Sequence, residues 1–383
     1  MRTLLLVGGG HSHSLLLRRL RGRLDANTQV ILVSPERFAP YSAMLPGLVA
    51  GHFRFRDCHI DLGKLCENVG AELVCGRVEN LDLESREALL NNGQRLSFDY
   101  ISINCGIQST SPPPGASEHN CLSVKPISQF LPQWQETLER LYSRHDRHKG
   151  ANLAVVGCGA TGVELAMAIR YRLDHDPRIK VPVDIHLVHS GGTLLAEAQL
   201  EAQLHVARQL QEMRIRAHPL FTVTRVAEQE LFTERGQHLP VDEIVWCLQG
   251  SAPAWPGQCG LTCDSAGLIK VNAHLQSESH PFVFAAGDIA SVSGQPLPRA
   301  GVYAVRQARV LADNLIRTLH EEPGSADRGK LRVFRAQKNF LSIITCGDQY
   351  AIAQRGRWVM AGKWVWRWKR FIDQRFMAQF PHP

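Results

Sequence analysis

Two stretches of this chain repeat one pattern, and that repetition narrows the fold more than any bulk property. The first, TLLLVGGGHSHSLLLRR (3–19), is an apolar run broken by Gly8, Gly9 and Gly10, after which His11 and Ser12 open a helical pattern. The second, LAVVGCGATGVELAMA (153–168), again passes from apolar strand through Gly157, Gly159 and Gly162 into a helix. Strand, tight turn and helix N-terminus together form a pyrophosphate cradle. The first glycine allows the turn, the second lets the backbone approach the phosphates, and the leading N–H groups of the helix meet their charge. The second copy keeps the full GxGxxG spacing, whereas His13 replaces the third glycine of the first. Two cradles about 150 residues apart imply two dinucleotide-binding units, and 383 residues suffice for both plus a smaller third domain.

The stretches around each cradle repeat as well. QVILV (29–33) ends at Ser34, where an acid commonly holds the ribose hydroxyls, and the Ser34 hydroxyl is expected to serve instead. VDIHLV (183–188) ends at His189 and Ser190, again without that acid, so a 2′-phosphate need not be rejected and both NADH and NADPH stay open. DYISINCG (99–106), closing on Gly106, is mirrored by DEIVWCLQG (242–250). PFVFAAGDIA (281–290) delivers Gly287 and Asp288, an acid suited to a sugar or ribitol hydroxyl. Gly301 follows at the start of a helix expected over 302–319, whose N-terminus suits negative charge.

The expected class is therefore α/β, with two Rossmann-like domains and a small C-terminal α+β domain. STSPPPG (109–115) marks a linker. The domains are placed at 1–110 with 265–325, at 111–264, and at 326–383. Further helices are expected over 128–144 and 200–214.

Ten cysteines are scattered without a disulfide or zinc frame, which predicts reduced thiols in a cytoplasmic protein and no metal. The opening run stops at Gly8, too soon for a signal peptide, and no run of 18 apolar residues occurs. The net charge of +7 belongs to the tail: from Lys330 onward eleven Lys and Arg face only Asp348 and Asp373. A helix there is expected to place Trp364, Trp368, Phe371, Ile372, Phe376 and Phe380 on one face, opposite Arg367, Arg370 and Gln374. That composition suits a peripheral contact with the inner face of a membrane, or a helix packed on its own protein. No nucleic-acid partner is expected, and the oligomeric state stays open.

The ordered set VGGGHSH, DYISINCG, VVGCGATGVELA, DEIVWCLQG and FAAGDIA resembles the two-dinucleotide-binding-domain flavoproteins of the pyridine nucleotide-disulfide oxidoreductase superfamily. VSPERFAPYSAMLPGLVAGHF, CHIDL, AGVYAVRQA and WKRFIDQRFM are more closely similar to the NADH-dehydrogenase-like domain that in some proteins precedes a selenide, water dikinase. The resemblance covers the flavoprotein part and not a kinase segment, so any role in selenium metabolism is expected to be separate. The resemblance implies FAD on the first cradle with Asp288 at the ribitol and Gly301 near the isoalloxazine. It also implies NADH or NADPH on the second, with Glu164 beside the nicotinamide as the catalytic candidate. FAPYSAMLPGLVAG (38–51) lacks the redox cysteines that disulfide-reducing relatives carry there, so electrons are expected to pass directly to a diffusible acceptor such as a quinone. The glutamines that line the quinone site in type II NADH dehydrogenases are partly matched, with Gln307 retained and Val302 and Arg306 at two positions. Two alternatives stand beside this reading. One is a sulfide or thiol:quinone oxidoreductase using Cys121 and Cys346, with Cys158 also considered. The other is a flavin-binding redox sensor or docking partner without turnover.

Overall fold

The apolar runs that lead into the glycine turns become central, fully covered parallel strands. The structure is a computed structural model and describes residues 1–117, 119–146, 149–248, 250–320, 331–337 and 339–383. The first lobe opens with β1 (Arg2–Val7), α1 (His11–Leu20), β2 (Thr28–Ser34), β3 (Glu72–Cys75) and β4 (Tyr100–Ile103). The second contains β5 (Cys121–Ser123), α2 (Ile127–Tyr142), β6 (Ala151–Val156), α3 (Ala160–His175), β7 (Val183–Val188), α4 (Leu200–Glu212), β8 (Ile215–His218) and β9 (Glu243–Trp246). The chain then returns through β10 (Val283–Ala285) and α5 (Gly301–His320). It ends in β11 (Ser342–Thr345), β12 (Ala351–Arg355), β13 (Trp358–Gly362) and α6 (Lys363–Met377).

Two all-parallel sheets result, one in the order β10-β4-β1-β2-β3 and the other β5-β9-β6-β7-β8. Leu4, Leu5, Leu6, Leu153, Ala154 and Val155 are at most 1% exposed, as strands covered on both faces require. The mirrored strands occupy equivalent places, Val7 pairing with Ile103 and Val156 with Trp246. Each lobe also inserts a three-stranded antiparallel meander before its closing strand, Val78 to Ser97 in the first and Arg225 to Pro240 in the second. The internal echo read in the sequence thus extends to topology. The boundary expected at 325/326 lies outside the described residues.

The segment 38–51 is more ordered than a loop: Phe38–Pro40 pairs with His59–Asp61, and Leu45–Val49 is a short helix. The tail forms a three-stranded antiparallel sheet with α6 against it. The expected facing of α6 needs correction. Val365, Trp366, Asp373, Phe376 and Met377 are buried, whereas Trp364 (53% exposed) and Phe371 (60%) face outward beside Arg367 and Arg370. Lys369 and Asp373 form an ion pair under this helix, and Lys369 Nζ also donates to Ala43 O at 2.9 Å.

Candidate active site

The crest of the first sheet opens into a cleft of about 600 Å³. Gly8, Gly9, Gly10, His11, Ser34, Gly106, Gly287, Asp288 and Gly301 all line it, so most of the positions expected at the first cradle converge on one volume. Open α/β sheets bind ligands in this place, beyond the carboxyl ends of their strands. Gly8 sits at φ +94°, and side chains at Gly8 or Gly10 would come within 2.7 Å of the Asn104 backbone. Gly10 caps α1 without a side-chain bond, and no acid stands in the first turn. His11 Nε2 is buried with no partner, an orphan that a bound polar group would satisfy. A phosphate-sized cradle, a helix N-terminus and an acid after β10 fit FAD.

Ser12 is not part of that surface. It is fully buried, its hydroxyl donates to Ala304 O at 2.8 Å, and its N–H donates to Asn104 Oδ1 at 3.1 Å. The residue therefore ties α1 to α5 rather than contacting a ligand. His13 explains how the first turn manages without its third glycine. Its Nδ1 lies 2.7 Å from Gly8 O and its Nε2 2.8 Å from Ser102 Oγ. A carbonyl only accepts, so Nδ1 carries the proton and Nε2 accepts from Ser102. Burial holds this imidazole down to about 4, in the neutral form that the arrangement needs.

Two cleft residues escaped the sequence reading. Asn104, just beyond β4, accepts from Ser12 and His13 N–H through Oδ1 and donates from Nδ2 to Ala286 O at 2.6 Å. It caps α1 from a neighbouring strand, and a polar residue ending an apolar run was the available signal. Lys125, between β5 and α2, reaches across from the second lobe to within 3.4 Å of Asp288 Oδ2. A lysine before Pro126 carries no signature. The Ser34 hydroxyl donates to Glu36 O at 2.9 Å, which leaves its lone pairs for a ligand hydroxyl. Gln307 is 1% exposed and accepts from Gly287 N–H at 2.6 Å, so it braces the turn carrying Asp288.

The second cradle lies outside this cleft, at the crest of the other sheet. A side chain at Gly162 would fall 2.0 Å from Gly157 O, the close strand–helix approach that the third glycine permits, whereas Gly159 faces open space. Glu164, one turn into α3, accepts from Thr345 N–H at 2.8 Å and Thr345 Oγ1 at 2.9 Å. Burial pushes its carboxyl up to about 7, against the Thr345 bonds and the nearby Lys369 charge. Glu164 does not line the cleft, but its charge reaches Cys247, which also senses Lys125.

The cysteines do not assemble. Cys121 sits in the core beside Ala154 and Ile244, and Cys346 in a different core with Ile344 and Ile352. Burial pushes the Cys121 thiol up to about 12 and Cys346 well above its usual range, so neither offers a thiolate at neutral pH. Cys158 Sγ is turned toward Thr193 O. Among the described residues no group of His, Cys, Asp and Glu is arranged to hold a metal ion.

The family model described as pyridine nucleotide-disulphide oxidoreductase matches residues 2–308, a span that includes both cradles and Asp288. The chain belongs to that family. It is an oxidoreductase working with FAD and a nicotinamide dinucleotide. It is 23% identical to an NADH dehydrogenase-like protein of Bacillus subtilis over 302 residues, 77% of this chain and 79% of that one. It is 25% identical to the demethylphylloquinone reductase of a Synechocystis species over 328 residues, 82% and 78% of the two chains. The sulfide:quinone oxidoreductase of Aquifex aeolicus superposes with a TM-score of 0.79 at 17% identity, over 99% of this chain and 91% of that one, a likeness of fold.

Proposed function

We propose that FAD occupies the cleft of the first lobe, that NADH or NADPH docks on the second cradle, and that electrons leave to a diffusible quinone-type acceptor. The observation that carries this reading is the convergence of Gly8–His11, Asp288 and the N-terminus of α5 on one cleft, beside a second intact cradle. Two-electron transfer from reduced nicotinamide to an outside acceptor is the chemistry that such a cofactor supplies when bound. Within the chain, the N–H groups opening α1 and α5 face negative charge, Asp288 accepts from sugar hydroxyls, and Lys125 holds the second lobe over the cleft. Glu164 is assigned to the nicotinamide side, where a carboxyl titrating about 7 exchanges a proton at neutral pH. A quinone acceptor is supported by the named activity of the Synechocystis relative. The absence of cysteine from residues 38–51 supports direct transfer.

The deciding experiment is the visible spectrum of the purified protein, followed anaerobically with NADH, NADPH and sulfide in turn. The expected result is a flavin spectrum bleached by a reduced nicotinamide. Bleaching by sulfide alone would transfer the reading to cysteine chemistry, and a protein that stays colourless with added FAD would end it. Slow bleaching with no turnover on any quinone would favour a sensor.

Peripheral membrane contact belongs to the same reading. No helix among the described residues is long and apolar enough to cross a membrane. Trp364 and Phe371 nevertheless stand out on α6 beside the exposed Arg367 and Arg370. Aromatic anchors among arginines suit an anionic lipid surface, where each basic group contributes about 1 kcal/mol. Combining Trp364→Ser, Phe371→Ser, Arg367→Glu and Arg370→Glu should reduce cosedimentation with anionic vesicles at least ~100-fold, since two reversed charges alone supply a few kcal/mol. Undiminished binding would refute the contact.

A further inference from the structure

The identity of the nicotinamide donor turns on the end of β7. Val188 pairs with Val156, and Gly157 N–H donates to Val188 O at 2.8 Å, so His189 stands level with the first glycine of the second cradle. In a doubly wound sheet this position meets the adenosine ribose, and a carboxylate here both binds the 2′-hydroxyl and repels a 2′-phosphate. None is present: residues 189–196 read HSGGTLLA. His189 is 4% exposed, and its Nδ1 has no hydrogen-bond partner, although the Gly191 backbone lies near the ring. Ser190, Gly191 and Gly192 beside it are exposed.

The neighbouring side chains offer hydrogen bonds rather than charge, since burial holds His186, His189 and His218 below the ordinary imidazole range. His189 N–H donates to His218 O at 3.1 Å, and the His218 imidazole lies 3.0 Å from that of His186. Arg216, two residues before His218 on β8, pairs with Asp184 at 3.4 Å, near the opposite end of β7 from His189. The strand end thus gathers imidazoles and the exposed Ser190 hydroxyl, while the carboxylate on β7, Asp184, lies near its other end and is already paired. We propose that His189 and Ser190 receive the 2′-phosphate of NADPH, making NADPH a donor bound at least as tightly as NADH. This rests on the second cradle being the donor site.

The test is calorimetric titration of the FAD-loaded protein with NADP⁺ and with NAD⁺, alongside the ³¹P signal of the 2′-phosphate. The expected result is NADP⁺ binding at least as tightly as NAD⁺, with that resonance displaced. His189→Glu should lower the NADP⁺ to NAD⁺ affinity ratio by tenfold or more, through like-charge repulsion. Ser190→Glu, at an exposed position that folding tolerates, should do the same. Tighter NAD⁺ binding by the unaltered protein, or a ratio unmoved in both variants, would overturn the proposal while leaving the donor site standing. Failure of both dinucleotides to bind would remove the donor site itself.

Discussion

Gly10→Ala is expected to yield a folded protein that no longer retains FAD. The added Cβ would lie 2.4 Å from Asn104 Oδ1 and 2.7 Å from Asn104 O. Asn104 cannot withdraw freely, because Oδ1 caps Ser12 and His13 while Nδ2 holds Ala286 O. If it did, buried N–H groups would lose their partner at about 1–3 kcal/mol each. The alternative is that the turn moves outward into the space that the phosphates need. Either route should weaken FAD binding by roughly 100-fold or more, the equivalent of about 3 kcal/mol. Flavin released per chain and titration of the apoprotein with FAD measure this. Gly159→Ala is the companion, since its Cβ would meet nothing within 4 Å, and its flavin content should stay full. A Gly10→Ala protein carrying stoichiometric FAD would show that the cleft is not the cofactor's seat.

The second large effect is expected from Glu164→Gln, and it is a pH effect in two observables. Burial raises the carboxyl from 4.5 to about 7, so across that window the folded chain keeps a proton that the unfolded chain has released. Stability from this group is full below pH 4.5 and is lost as pH rises through 7. Every pH unit across that window corresponds to about 1.4 kcal/mol, so the variant should be more stable than its parent above pH 7, by up to roughly 3 kcal/mol. Gln can still accept from Thr345, which preserves the local geometry. His13 and His186, both held down to about 4 by burial, tilt stability the other way in both proteins and cancel in the difference. If Glu164 also moves a proton during turnover, kcat should fall roughly 100-fold and the inflection near pH 7 should vanish from its profile. A shifted Tm curve with an unchanged kcat profile would leave Glu164 a structural residue only.

The sheets were legible because strands covered on both faces read as unbroken apolar runs, and the glycines fixed where each run must turn. VDIHLV was readable to the residue, since nothing competes with a buried strand between turn-forming neighbours. The cleft was less so. Asn104 and Lys125 act through partners 92 or more residues distant in sequence, at Ser12, Ala286 and Asp288, which no local pattern encodes. The tail misled for a different reason. Grouping aromatic residues by hydropathy put Trp364 and Phe371 on one face with Phe376 and Phe380, yet the first two are exposed and the buried stripe runs through Lys369 and Asp373, which enter the interior as an ion pair.

The order of the first sheet has a consequence for synthesis. β4 lies between β1 and β10, and β10 is translated about 180 residues later, after the whole second lobe. At roughly 5–20 residues per second, the outer edge of β4 waits on the order of ten seconds or longer for its neighbour on the ribosome. An exposed parallel edge is a template for unwanted pairing. A nascent chain stalled between Ile103 and Val283 should accordingly be an aggregation-prone client of chaperones, and the finished polypeptide should not.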